Sequence, residues 1–407
     1  MESMLLKSLS QATSALRLLR SRNLQLIYSS SIMMVMGTSL IYPIVPVILQ
    51  SFDVPKAQIG LVLSAFSFPA IFMAPVAGFV ADLWGRKWVI VMGLLLYGIA
   101  GFAISLVHHF PLLLFLRVIQ GVGFSGVMPL VVVFIGDSYE KEHETAAQGM
   151  KIFMDRIAIL CLPPLAGLLG AIAWQIPFLL YGLTMPLAFC VLRWLPEPKV
   201  TRHGKPSVYF KDVLAKASQL RSLVIFSMSS LRFFLEYGFF TYLPIFALYS
   251  LGVSVAKGGF LFTLYAVGAM VTASQMRPLV LRWERTILMI VSFSVEGLCL
   301  LTIPLARSFW CLGAFMFCFG LADGVISPVQ KSLLTQSAPG GLRGGVVSVD
   351  RVLQSVCKTV SPLIAGLILA ASSVEAVFLI LGAIALLWVL CVLMLQMRGD
   401  LRPVRAD

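Results

Sequence analysis

Phe153–Gly167, FMDRIAILCLPPLAG, and Asp350–Gly366, DRVLQSVCKTVSPLIAG, each set an Asp–Arg pair and then a proline inside an otherwise apolar segment. The pairs Asp155–Arg156 and Asp350–Arg351 lie 195 residues apart. Pro164 and Pro362 lie 198 apart, and Pro129 and Pro328 lie 199 apart. Matched landmarks at nearly one spacing predict two related halves; chance likeness between greasy segments is the alternative. Parallel halves about an axis along the membrane normal, with a site between them, are a transporter architecture.

Composition sets the class. Of 407 residues, 59% are hydrophobic and 12% charged, where a soluble domain carries roughly a quarter charged. The apolar residues fall into blocks of about 20 or more, long enough to span a bilayer as helices. Twelve blocks can be read: 25–49, 58–81, 87–107, 111–136, 149–171, 175–195, 222–249, 258–281, 286–306, 309–334, 344–371 and 375–396. The expectation is an all-α integral membrane protein, with twelve transmembrane helices in two pseudo-symmetric six-helix bundles. Residues 1–24 form an N-terminal arm, 25–195 the first bundle, 196–221 a linker, 222–397 the second bundle and 398–407 a tail. The linker has apolar residues at helical spacing among Lys211, Lys216 and Arg221, the pattern of a segment lying on the membrane surface.

The net charge of +13 would suggest a nucleic-acid partner in a soluble chain. Its placement argues against that. With the N-terminus inside, inner segments hold 23 Lys and Arg, and outer loops only Lys56, Lys257 and Arg307. The positive-inside rule then puts both termini in the cytoplasm of a multi-pass cell-membrane protein. The N-terminal arm lacks the short apolar region and cleavage site of a removable signal peptide. All seven cysteines fall within the blocks, where packing is the simplest role and no metal set is formed. GVGFSG, Gly121–Gly126, matches a dinucleotide pattern. It lies inside a span rather than after a strand, so close helix approach is the better reading. No motif points to an enzyme or to a cofactor.

GFVADLWGRK, Gly78–Lys87, resembles the loop signature between the second and third helices of the major facilitator superfamily: Gly78, Asp82, then Gly85-Arg86-Lys87. RVIQGVGFSG is similar to that superfamily's fourth-helix signature, with Arg117 followed by Gln120 and Gly121. LPPLAGLLG resembles the fifth-helix motif of its proton-driven, twelve-helix drug antiporters. Two positions depart: Leu83 stands where a basic residue is common, and Pro163 where that motif has glycine. The resemblance implies a charge latch on the cytoplasmic side, built from Gly78, Asp82, Gly85 and Arg86. Asp82 would meet the positive N-terminal end of helix 11, and Arg86 would pair with Asp137. It also places helices 5 and 11 at the border of the halves. Asp155, Arg156, Asp350 and Arg351 would then pair across it, with pairing inside each half as the alternative.

Charges deep in a bilayer cost about 2.5–3.5 kcal/mol each on insertion scales, so they face protein or water and find partners. The deep ones are Arg117, Arg232, Glu236, Asp323 and Lys358, with Glu296 on a helix that is peripheral in the family. Arg232 and Glu236, at i and i+4, form a natural local pair. Asp323 is the first candidate for proton coupling and Glu236 the reserve. Desolvation and a cation such as Lys358 or Arg117 act on such a carboxylate in opposite directions, the balance a proton-exchanging group needs. The resemblance puts helices 1, 4, 7 and 10 around the cavity. Arg117, Gln120, Arg232, Tyr42, Phe124 and Tyr237 are therefore substrate candidates, and Lys358, a deep charge on helix 11, joins them. Three mid-span cations against three anions leave the substrate's charge open.

The expected function is proton-coupled export of small amphipathic compounds by a monomer in the bilayer. The same fold dedicated to one metabolite, such as a siderophore or sugar, is the second reading. A scaffold or receptor is the third, and the intact loop signature and buried charges count against it.

Overall fold

A computed structural model describes residues 21–139, 141–197, 218–337 and 343–398. Among them there is no strand, and twelve helices are long and apolar enough to cross a membrane. The expected amphipathic linker segment around Lys211 and Lys216 lies outside the described residues.

The first half contains α1 (Arg22–Phe52), α2 (56–84), α3 (Arg86–Ile104), α4 (Phe110–Ser138), α5 (Lys141–Ile172) and α6 (Ile176–Trp194). The second contains α7 (Leu220–Tyr249), α8 (Val255–Ser274), α9 (Arg285–Leu305), α10 (Phe309–Ser337), α11 (Arg343–Ala371) and α12 (Val374–Met397). Each overlaps its expected block. α1 tightens into a 3₁₀ turn at Tyr42–Ile44, where Pro43 and Pro46 withhold backbone donors. The block expected over 258–281 is broken: α8 stops at Ser274 and a separate short helix, Met276–Arg282, follows. Pro278 explains the break, because it has no N–H to give Ser274 and its ring would press on that carbonyl.

The repeat holds at residue level. α4 and α10 start and end 199 residues apart, as do the starts of α3 and α9. Gly60 and Gly259 share that offset and do the same job. A Cβ on Gly60 would sit 2.3 Å from the Pro362 carbonyl oxygen, and one on Gly259 would sit 2.4 Å from that of Pro163. The halves therefore meet backbone to backbone where α2 crosses α11 and α8 crosses α5, contacts that only a missing side chain permits. This register pairs Pro362 with Pro163, not with Pro164 as the sequence match had it.

Polar and aromatic contacts reinforce the seam toward the end away from the basic loops. Ser64 Oγ donates to the Thr359 carbonyl (2.6 Å), Thr263 Oγ1 to that of Leu160 (3.1 Å), and Tyr242 to those of Ala57 and Pro362. Lys56 lies 3.6 Å from the centre of the Tyr249 ring.

At the basic end, Gly85 joins α2 to α3 with φ of +99°, a conformation that costs other residues strain. Its missing side chain leaves room for Glu197, whose carboxylate accepts from the backbone N–H of Arg86 (2.5 Å) and of Lys87 (3.1 Å). An acid at a helix N-terminus satisfies orphan donors and the helix dipole together. Glu197→Ala is expected to lower stability by about 1 kcal/mol, read as earlier thermal unfolding in detergent; an unchanged transition would remove the capping role.

Candidate functional site

The strongest charge cluster lies within the second half. α7 carries Arg232 and Glu236 one turn apart, and α10 brings Asp323 beside them. Arg232 Nε donates to Asp323 Oδ1 at 2.5 Å, and the Tyr265 hydroxyl of α8 donates to Oδ2 at 2.8 Å. Both Asp323 oxygens are thus engaged, and the residue is 1% exposed. Glu236 Oε2 lies 3.8 Å from Arg232 Nη2 and has no hydrogen-bond partner among the described residues. One guanidinium therefore stands between two carboxylates, tightly held by one and loosely by the other.

The expected local pair of Arg232 with Glu236 is present at 3.8 Å, and Asp323 on another helix is the closer partner at 2.5 Å. One expectation is corrected. Asp323 engages Arg232 and Tyr265, not Lys358 or Arg117. The Lys358 ammonium rests on aromatic faces instead, 4.1 Å from the centre of Phe233 and 5.7 Å from that of Tyr237. Such contacts are worth about 2 kcal/mol when desolvated.

Arg117 is fully buried inside the first half. It donates to the carbonyls of Val62 and Gly37 and to Gln120 Oε1, and it lies over the Phe66 ring. Arg117 thus ties α4 to α1 and α2, and Phe124 packs on Phe66 beside it. Backbone carbonyls satisfy the cation, so it has no need of an acid. Tyr42 does reach the seam, stacked on Phe262 and edge-on to Tyr237 and Phe240 of the second half. Glu296 is 1% exposed on α9, with one carboxylate oxygen unpartnered among the described residues.

At the basic end, Arg86 and Asp137 are in direct contact. Asp82 lies 4.0 Å from Arg86, mostly exposed, and makes no hydrogen bond to the described part of α11. Gly78 has open space beside it.

The repeated Asp–Arg pairs do not meet across the halves. Asp155 accepts from Lys151 (2.8 Å) and Ser31 (2.6 Å) of its own half. Gln354 donates to Asp350 (2.6 Å) and to Ser229 (3.0 Å) of theirs. In the 199-residue register Lys151 matches Asp350 and Asp155 matches Gln354. The sequence match was one helical turn out of step, which keeps a residue on nearly the same face. Neither Arg351 nor Arg156 has an ion pair among the described residues. Sequence reasoning passed over Tyr265, Lys151 and Ser31, since no spacing in their apolar surroundings links them to their partners.

With the geometry in view, likeness to known proteins can be weighed. The family model of the Major Facilitator Superfamily matches residues 27–258 and 225–406. The bacillibactin exporter of Bacillus subtilis (strain 168) is 30% identical over 164 residues, 39% of this chain and 41% of the exporter. The quinolone resistance protein NorA of Staphylococcus aureus (strain MRSA252) is 22% identical over 360 residues, 85% of this chain and 89% of that protein. Among solved structures, a bacterial homologue of the human lysosomal transporter Spinster, inward-facing and occupied, superposes with a TM-score of 0.76 at 16% identity, covering 92% of this chain and 97% of that one. A POT family transporter bound to 5-aminolevulinic acid gives 0.79 at 13% identity, covering 93% and 96%. The expected repeat, the twelve helices and the family-model matches to both halves of the chain converge: the chain is a multi-pass membrane transporter belonging to the Major Facilitator Superfamily.

Proposed function

We propose that this transporter exports small amphipathic organic compounds from the cytoplasm in exchange for protons, working as a monomer in the cell membrane with both termini inside. The observation that carries the reading is one buried guanidinium shared unequally by two carboxylates, Asp323 at 2.5 Å and Glu236 at 3.8 Å. A proton on Asp323 would free Arg232 to move to Glu236, and loss of that proton would return it. Arg232 and its two acids thus form a two-position switch, and α7 reaches the seam through Tyr237 and Phe240. Biasing a bistable element is how a small chemical event drives a large transition.

Rings rather than fixed charges meet at the seam, Tyr42 of the first half against Tyr237, Phe240 and Phe262 of the second. Such a lining suits lipophilic and amphipathic organic molecules. Arg86 with Asp137, and Asp82 beside them, would act as the inner latch. The name of the NorA relative, a quinolone resistance protein, fits drug export. The partial likeness to a bacillibactin exporter supports the second reading, a dedicated siderophore exporter.

Proteoliposomes with an imposed pH gradient test the proposal. Accumulation of a fluorescent amphipathic cation or a quinolone should require the gradient and reverse with its sign. Transport indifferent to both signs would refute proton exchange, and transport of a siderophore alone would select the second reading.

A further inference from the structure

The second half carries a degenerate copy of the α2–α3 charge cluster in which both acids are replaced and arginines are added, with Glu284 where the first half has Gly85 and Thr286 where it has Lys87. At the 199-residue offset, Gly78 matches Arg277, Asp82 matches Leu281, Trp84 matches Trp283, Arg86 matches Arg285, and Asp137 matches Gln336. Arg285 Nη1 is hydrogen-bonded to Gln336 Oε1, as Arg86 is paired with Asp137. The architecture is kept while both acids are gone, so Arg285 keeps its full charge and Arg277 adds another. Among the described residues, neither arginine nor the adjacent Arg282 has an ion pair; the one nearby acid along the chain is Glu284. The helix end differs too. Glu197 covers the first amides of α3, whereas no side chain caps those of α9.

Between the short helix Met276–Arg282 and α10 lies a cavity of about 310 Å³. Its walls include Arg277 and Arg285 beside Val280, Leu281, Pro328 and Val329. Leu281, in its wall, is 79% exposed, and Trp283, two residues on in the chain, is 55% exposed, the placement of a residue that seats at a membrane interface. Two arginines with no ion pair among the described residues, above an apolar groove, match one molecule: a phosphate with an acyl chain attached.

We propose that this cavity binds the headgroup of an acidic phospholipid from the leaflet at the basic end, with Arg277 and Arg285 on the phosphate and an acyl chain along Val280 and Val329. Basic pockets between membrane helices at the cytoplasmic face hold anionic lipid headgroups by this chemistry. The groove backs onto Pro328, five residues after Asp323 on α10, so an occupied site braces the helix that carries Asp323.

Native mass spectrometry of the detergent-purified protein, titrated with phosphatidylglycerol or phosphatidylcholine, tests the site. Each arginine near an anionic headgroup contributes about five-fold in affinity, so the pair should favour phosphatidylglycerol by about thirty-fold. Arg277→Gln with Arg285→Gln should erase that preference, and Arg307→Gln at the opposite end should leave it intact. Gln336→Asp restores the acid of the first half without removing an arginine and should weaken the preference about five-fold. Equal binding of the two lipids by the parent, or an unchanged preference in Gln336→Asp, would overturn the proposal. Competition by glycerol phosphate as effective as by the lipid would assign the cavity to a soluble anion instead.

Discussion

Asp323→Asn is expected to abolish uphill, pH-driven accumulation while exchange of substrate across the membrane at equal pH continues. The replacement keeps the hydrogen bonds within reach, because the amide oxygen still accepts from Arg232 while the amide NH2 replaces the other oxygen and can donate to the Tyr265 hydroxyl. What it removes is the titration. A gradient of one pH unit supplies about 1.4 kcal/mol per proton, so it can sustain about ten-fold accumulation for each proton exchanged. In the variant that ratio should fall to about one. Folding should survive, since a hydrogen bond to a charged group is weakened rather than left unmade, at about 1–3 kcal/mol. The measurement is substrate concentration inside proteoliposomes against time, with and without the gradient. Full accumulation in Asp323→Asn would move the coupling role to Glu236, which shares the same guanidinium and has one oxygen unpartnered among the described residues.

Arg232→Leu should be the most damaging single change to stability. Arg232 is 8% exposed and faces two carboxylates, one of them nearly fully buried. Removing one partner of a buried ion pair leaves an uncompensated charge and costs about 3–5 kcal/mol. Replacing both partners by apolar residues of similar volume is far milder. Arg232→Leu combined with Asp323→Leu should therefore regain much of the loss, although without coupling. The double-mutant cycle, read from thermal unfolding in detergent, should show a coupling energy well above that of independent sites. Additive losses would mean that the pair is not the unit described here.

The membrane class, the count of twelve helices and the presence of two halves were legible in the sequence, because each rests on local quantities. A span needs only enough consecutive apolar residues, and a repeat needs only landmarks at a constant offset. The Arg86–Asp137 contact was reachable from the family's loop signature. Pro278, which ends α8 early, was visible in the sequence but was absorbed into a hydrophobic block.

What the sequence could not decide was partnership. Arg232 has an acid four residues on, yet its guanidinium goes to Asp323, 91 residues away, because α7 and α10 pack together and a buried charge takes the partner with the best geometry. Arg117 looked like a cavity residue until α1 and α2 were seen to offer it backbone carbonyls. The paired Asp–Arg motifs matched at 195 residues while the helices register at 199. A four-residue slip returns to the same helix face, so one-dimensional similarity cannot tell the two alignments apart. The crossings of Gly60 on Pro362 and Gly259 on Pro163 fix the register of α5 against α11, since backbone contact tolerates no shift of a full turn.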